Sequence, residues 1–215
     1  MQKLSLSYFL HSTMPVSHRY FLLHKPYGTE SQFISPHEGP LLGDLPFHFP
    51  EGTHAIGRLD KPSEGLLLLT TDKKITRLLF QSAVPHRRTY HVQVKNTVTE
   101  EGLLRLRTGV PIRISGDDWY TTPPCEVDIV PPPPFPSPLP FSYPVKSTWL
   151  RLTITQGKFR QVRKMVVAIR HPCIRLLRTS IEDMQLEGLP AGEVREVTQD
   201  EFYTKLKLKK DGKAS

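Results

Sequence analysis

Two short apolar runs, His54 to Leu59 and Gly65 to Thr71, are separated only by Asp60-Lys61-Pro62-Ser63-Glu64. No other feature restricts the fold of this chain so tightly. Each run has the length and polar borders of a strand, and the residues between them have the composition of a tight turn. The chain must therefore bend sharply here, with a carboxylate, Asp60, standing at the start of the bend.

The remaining pattern can be arranged around that bend. Arg19 to His24 is an apolar and aromatic strand ended by Lys25-Pro26-Tyr27-Gly28, and the Pro-, Gly- and His-rich stretch from Thr29 to Gly52 reads as an irregular connection. Asp72 can cap a helix over residues 73–84, with Ile75, Leu78 and Leu79 on one face and Lys73, Lys74 and Arg77 largely on the other. Arg88 to Lys95 alternates Tyr90, Val92 and Val94 against Thr89, His91 and Gln93, as a strand does. Thr99 opens a short capped helix that ends at Gly109, and Cys125 to Val130 has strand character. Eight prolines between residues 131 and 144 exclude a helix or inner strand and predict an extended loop linking two strands. Trp149 to Thr155 is a strand followed by a turn at Gln156-Gly157. A helix over 158–170 comes next, with the apolar stripe Phe159, Val162, Val166 and Ile169. Strands at 174–181 and 193–197 and a helix near 200–207 complete the pattern, with a Lys-rich end read as frayed. Strands outnumber helices and come as hairpin-like pairs, which predicts an α+β fold with a mostly antiparallel sheet.

Composition excludes several classes. With 38% hydrophobic and 23% charged residues in 215, the chain can bury a core. No apolar stretch approaches the roughly 20 residues that span a bilayer. The Leu4 to Leu10 stretch is interrupted by His11 and followed by no small-residue cleavage site. Cys125 and Cys173 have neither disulfide-framework nor metal-ligand spacing, and no nucleotide or dinucleotide phosphate-binding loop is present. The expectations are a cytoplasmic protein with no metal, no cofactor and no membrane association. The net charge of +8 is concentrated: nine basic residues and no acid lie between Lys146 and Arg178, and six with no acid between Lys73 and Lys95. Such blocks in a folded chain fit a polyanion, nucleic acid first, or else a solvated basic face. A DNA-binding protein would need a helix-turn-helix or zinc motif, and neither is present.

The run Gly57-Arg58-Leu59-Asp60-Lys61-Pro62-Ser63-Glu64-Gly65-Leu66-Leu67-Leu68-Leu69-Thr70 resembles the long signature G-R-L-D-x-x-S-E-G-L-L-L-L-T of pseudouridine synthases of the RsuA/RluE type. Lys25-Pro26-Tyr27-Gly28, the strand around Tyr90, and Gly157-Lys158-Phe159-Arg160-Gln161-Val162-Arg163-Lys164-Met165 resemble further elements of that family in the same order. So do Leu176-Leu177-Arg178 and the segment from Leu186 to Glu193. The resemblance spans Arg19 to Thr198. It departs from the family where Arg88-Thr89-Tyr90 replaces Lys-x-Tyr and where Ser180-Ile181-Glu182 replaces an Ile-Gly step. Within the family the RluE branch is the nearest, acting on a uridine of 23S ribosomal RNA. No N-terminal S4 domain is expected, and the proline-rich insertion looks branch-specific.

The resemblance implies a pseudouridine synthase fold: a bent, mainly antiparallel mixed sheet flanked by helices, whose two halves meet at a basic cleft. The implied layout is an N-terminal extension at 1–18, a catalytic domain at 19–204 containing the 131–144 loop, and a basic tail at 205–215. It makes Asp60 the essential carboxylate, either attacking ribose C1′ or removing a sugar proton. Arg163 becomes its cationic partner, Tyr90 the aromatic beside the flipped base, and Leu176 the pocket wall. Lys25, Arg58, Lys73, Lys74, Arg87, Arg88, Arg160, Gln161 and Lys164 are the expected RNA contacts. The implied substrate is a 23S ribosomal RNA stem-loop, naked or in an assembling large subunit, with no protein partner required. The alternative is a noncatalytic rRNA-binding assembly factor.

Overall fold

The computed structural model describes residues 17–80, 85–138 and 146–209. The strands are β1 (Tyr20–Lys25), β2 (His54–Ile56), β3 (Glu64–Thr70), β4 (Arg88–Lys95), β5 (Pro111–Ser115), β6 (Asp118–Thr121), β7 (Glu126–Ile129), β8 (Ser147–Ile154), β9 (Cys173–Ile181), β10 (Met184–Gln185) and β11 (Val194–Val197). The helices are α1 (Ile75–Phe80), α2 (Glu100–Thr108), α3 (Gln161–Ala168) and α4 (Gln199–Lys205). One large sheet runs β11-β1-β3-β9-β4-β8-β7, with β2 added to β3 and β10 to β9. β5 and β6 form a separate hairpin.

Every pairing in the large sheet is antiparallel except one. β3 and β9 are parallel and touch only through Glu64↔Leu177 and Gly65↔Arg178. This join divides the sheet into the two expected halves. β1 pairs with β3 along its whole length, so β2 and β9 must share the opposite edge of β3. β2 takes the Leu68–Thr70 end, and β9 enters beside Glu64. The hairpin of β2 and β3 thus has its bend, with Asp60, where β9 runs in. The join needs a glycine: Gly65 has φ +103, and a Cβ there would lie 2.2 Å from the Arg178 carbonyl oxygen.

β1 and β3 are buried on both faces, which is why they read as continuous apolar runs. Phe21, Leu23, Leu67 and Leu69 enter one core with Val92, Leu150, Leu103 of α2 and Val162 and Val166 of α3. The alternate residues Tyr20, Leu22, Leu66 and Leu68 enter a second core with Ile75 of α1 and Phe202 of α4. Helices therefore cover both faces of the sheet, and the expected α+β class with a mostly antiparallel sheet holds.

Local expectations needed correction in four places. The helix predicted over 158–170 begins only at Gln161, because Arg160 adopts a left-handed conformation with φ 52. Phe159 is left 67% exposed, outside the apolar stripe, and Met165 takes its place in the core. α1 begins at Ile75, two residues after the predicted start, and residues 81–84 at the predicted end lie outside the described residues. Asp72 does accept the Lys74 amide at 3.0 Å, but its carboxylate is buried against the Tyr20 and Tyr203 hydroxyls. The hairpin of β5 and β6 was not foreseen. The basic end does not start loose: Leu206 is fully buried, and Lys207 reaches Glu182 at 3.0 Å. Residues 210–215 of that tail and 1–16 of the N-terminal extension lie outside the described residues. Residues 131–138 form the expected loop between β7 and β8, and the rest of the proline-rich segment is likewise outside them.

Candidate active site

Asp60 sits on a turn held from every side. Its own carbonyl accepts the Ser63 amide at 2.9 Å. The preceding residue, Leu59, is clamped by Ser31, whose hydroxyl donates to the Leu59 carbonyl at 2.8 Å and accepts its amide at 2.9 Å. The following carbonyl, of Lys61, accepts the Gly28 amide at 2.9 Å. Pro62 adds a fixed φ. The Lys25-Pro26-Tyr27-Gly28 segment is therefore a prop beneath the turn.

Arg163, from α3, closes the turn from the other half of the molecule. Its Nη2 donates to the Pro62 carbonyl at 2.7 Å and to Ser63 Oγ at 3.2 Å, and its Nη1 to Cys173 Sγ at 3.5 Å. Its Nε has no hydrogen-bond partner and lies 4.0 Å from Asp60 Oδ2. Arg160 Nε is 3.9 Å from the same oxygen. Arg163 is nearly enclosed and Arg160 about half exposed, so one guanidinium is fixed by the fold while the other faces solvent. The Asp60 carboxylate thus faces two guanidinium groups, whose planar forks suit a carboxylate partner.

Behind the turn lies a buried ion pair. Arg175 of β9 donates Nε to Glu64 Oε1 and Nη2 to Glu64 Oε2, both at 2.9 Å, and also bonds the Phe135 and Pro136 carbonyls. Glu64 thus fixes the join, and Arg175 also anchors the start of the proline-rich loop. Neither Glu64 nor Arg175 was singled out in the sequence. The signal available was slight, an acid at the first position of a strand that is otherwise apolar, which must find a cation to be buried.

Tyr90 and Leu176 lie in the same core cluster as Leu59 and Val162. Tyr90 pairs with Arg178, which pairs with Gly65, which pairs with Lys25, so one cross-strand row connects Tyr90 to the strand end that follows Asp60. Tyr90 is 8% exposed, so its ring lies mostly within the core.

Three expected RNA contacts are misplaced. Lys25 is fully enclosed, with Nζ donating to the Thr29 carbonyl at 2.6 Å, to that of Pro26 at 3.0 Å and to that of Lys61 at 3.4 Å. Burial pushes its ammonium down to about 8, against the pull of Glu64 and Asp60. Gln161 is buried and holds the Lys158 amide at 3.0 Å. Arg88 is buried, capping the Thr155 carbonyl and lying 4.8 Å over the Phe80 ring. The others are exposed or half-exposed, although Arg87 is engaged in a bidentate pair with Glu126 at 2.8 and 2.6 Å.

A two-part mixed sheet with a carboxylate turn at its join, faced by two guanidinium groups, is the frame of the site. The chain belongs to the RNA pseudouridylate synthase family, whose sequence model matches residues 19–168. Ribosomal large subunit pseudouridine synthase E of Vibrio vulnificus is 37% identical over 180 residues, covering 82% of this chain and 74% of that protein. Ribosomal large subunit pseudouridine synthase B of Bacillus subtilis is 31% identical, with 90% and 74% covered. A solved pseudouridylate synthase superposes with a TM-score of 0.71 at 28% identity, covering 88% of this chain and 74% of that one. Human RNA pseudouridylate synthase domain containing 1 shares the fold alone, at a TM-score of 0.57 and 12% identity. The protein is an RNA pseudouridine synthase. Among the described residues no helix is long and apolar enough to cross a membrane.

Proposed function

We propose that this protein isomerises one uridine of large-subunit ribosomal RNA to pseudouridine, with Asp60 as the essential carboxylate. The observation that carries the assignment of Asp60 is its placement: an immobilised turn at the join of the two half-sheets, opposed by Arg163 and Arg160. The choice of ribosomal RNA rests on relatives named for the ribosomal large subunit.

In the reaction the bond from ribose C1′ to uracil N1 breaks, the base turns, C5 bonds to C1′, the C5 hydrogen leaves as a proton, and N1 takes up a proton, so the composition is unchanged. Both routes open to Asp60, attack on C1′ or removal of a sugar proton, begin from the ionised carboxylate. Arg163 grips the turn at Pro62 and Ser63 and so keeps the carboxylate in place. Tyr90 borders the base, with Leu176 as an apolar wall. The target must leave its stack, at a cost of a few kcal/mol. Cations on the surface offset this by holding the backbone, a role assigned to Arg58, Lys73, Lys74, Arg160 and Lys164 and supported by their exposed or half-exposed positions. The substrate is a stem-loop read through its shape and splayed bases.

The test is site-resolved pseudouridine mapping of ribosomal RNA from cells with and without the gene. One large-subunit position should be lost, then restored by the wild-type gene and not by Asp60→Ala. Persistence of every position in the deleted strain would overturn the reading.

A further inference from the structure

A cleft of about 600 Å³ opens between the hairpin of β5 and β6 and helix α3. Its walls are apolar: Ile112, Ile114 and Trp119 on the hairpin face Val167 on the helix. Trp119 is 66% exposed and Val167 56%, so large apolar surface is left open to water on both walls. Cations sit among these residues. Arg113 is the cross-strand neighbour of Trp119 and is paired with Asp117 at 3.2 Å, and Lys164 ties the helix to the hairpin through the Ile114 carbonyl at 3.3 Å. Arg160 and Arg163 also line the cleft, and both have Nε within 4.0 Å of Asp60. The cleft therefore shares two arginines with the site at Asp60.

An exposed indole over an apolar floor, bordered by guanidinium and ammonium groups, matches the two faces of a nucleotide: a flat base and an anionic phosphate. A second copy of this chain is a poor match, because its net charge of +8 repels the same rim. Resting on the function proposed above, we infer that this cleft holds a second unpaired base of the substrate RNA, close to the target uridine. That base stacks on Trp119, with its phosphate on Lys164. Trp119 is then a specificity-determining residue that selects RNAs able to present two splayed bases together.

The experiment uses the full chain carrying Trp149→Phe, which leaves Trp119 as the sole tryptophan of the two, and an unmodified transcript of 23S ribosomal RNA. Titration with the RNA should quench Trp119 fluorescence in parallel with binding. Trp119→Ala should raise KM roughly 5- to 150-fold, the range one stacked base contributes, with kcat unchanged, and Trp119→Phe should recover most of the loss. Conversion of the RNA without quenching, or a wild-type KM in Trp119→Ala, would overturn the second-base site while leaving the synthase reading intact. Quenching driven by protein concentration alone, with a doubled mass in sedimentation, would overturn it in favour of a second copy. Failure of the wild-type protein to convert any uridine would remove the functional reading and this inference with it.

Discussion

Breaking the pair between Glu64 and Arg175 should damage the fold more than any other single change near the site. Both side chains are almost wholly buried, at 2% and 4% exposure, and Arg175 makes four hydrogen bonds, two to the carboxylate and two to carbonyls of the proline-rich loop. Arg175→Met would leave an uncompensated carboxylate and two stranded carbonyls inside the protein. Removing one partner of a buried pair costs about 3–5 kcal/mol. For a chain of this size that is a drop in Tm of roughly 6–20 °C. Glu64→Gln should cost somewhat less, since the amide retains one acceptor. The combined variant should be less destabilised than the sum of the two by about 1–3 kcal/mol, because the charge each single change strands is gone in the double. Denaturant unfolding of the four proteins measures this directly. Limited proteolysis should also show faster cleavage within 131–138 in Arg175→Met. Losses that add to within about 0.5 kcal/mol would refute the idea that this pair fastens the two half-sheets.

Three further outcomes follow from the geometry. Arg163→Lys keeps the charge but loses the fork that grips Pro62 and Ser63 while facing Asp60, so kcat should fall by about 100-fold with little change in Tm. Gly65→Ala places a methyl against the Arg178 carbonyl at a φ that suits glycine, and should lower stability by at least ~1–3 kcal/mol and activity with it. Lys25 contributes a pH dependence, since its folded value of about 8 lies below the ordinary 10.5. Between those values the unfolded chain holds a proton that the folded chain has released, so stability should rise with pH across that window by roughly 3 kcal/mol. That rise should flatten in Lys25→Met when unfolding is measured from pH 7 to 11.

The bend at Asp60 and the strands around it were legible because strand residues buried on both faces form unbroken apolar runs, and because turn chemistry is local. The amphipathic face of α3 was legible for the same reason, apart from its start. Arg160 is left-handed, a conformation that an arginine does not signal in sequence, and Phe159 beside it is exposed. Lys25 misled because a lysine reads as a surface cation. Its burial depends on carbonyls of Thr29 and Lys61, which converge only in three dimensions. The parallel join of β3 and β9 rests on two residue pairs from distant parts of the chain. No local period encodes it, although Gly65 within an apolar run marked a close backbone approach. The hairpin of β5 and β6 was hidden by its polar, exposed composition, with Ile112 as its one deeply buried side chain.

The central claim is that Asp60 drives the exchange of an N1 for a C5 glycosidic bond, which releases the hydrogen on C5. The most direct measurement is tritium release from an unmodified 23S ribosomal RNA transcript labelled at uridine C5, with wild-type protein and with Asp60→Asn. Wild type should release the label from a single position, and the variant should bind the same RNA and release none. Release by Asp60→Asn at the wild-type rate would contradict the account.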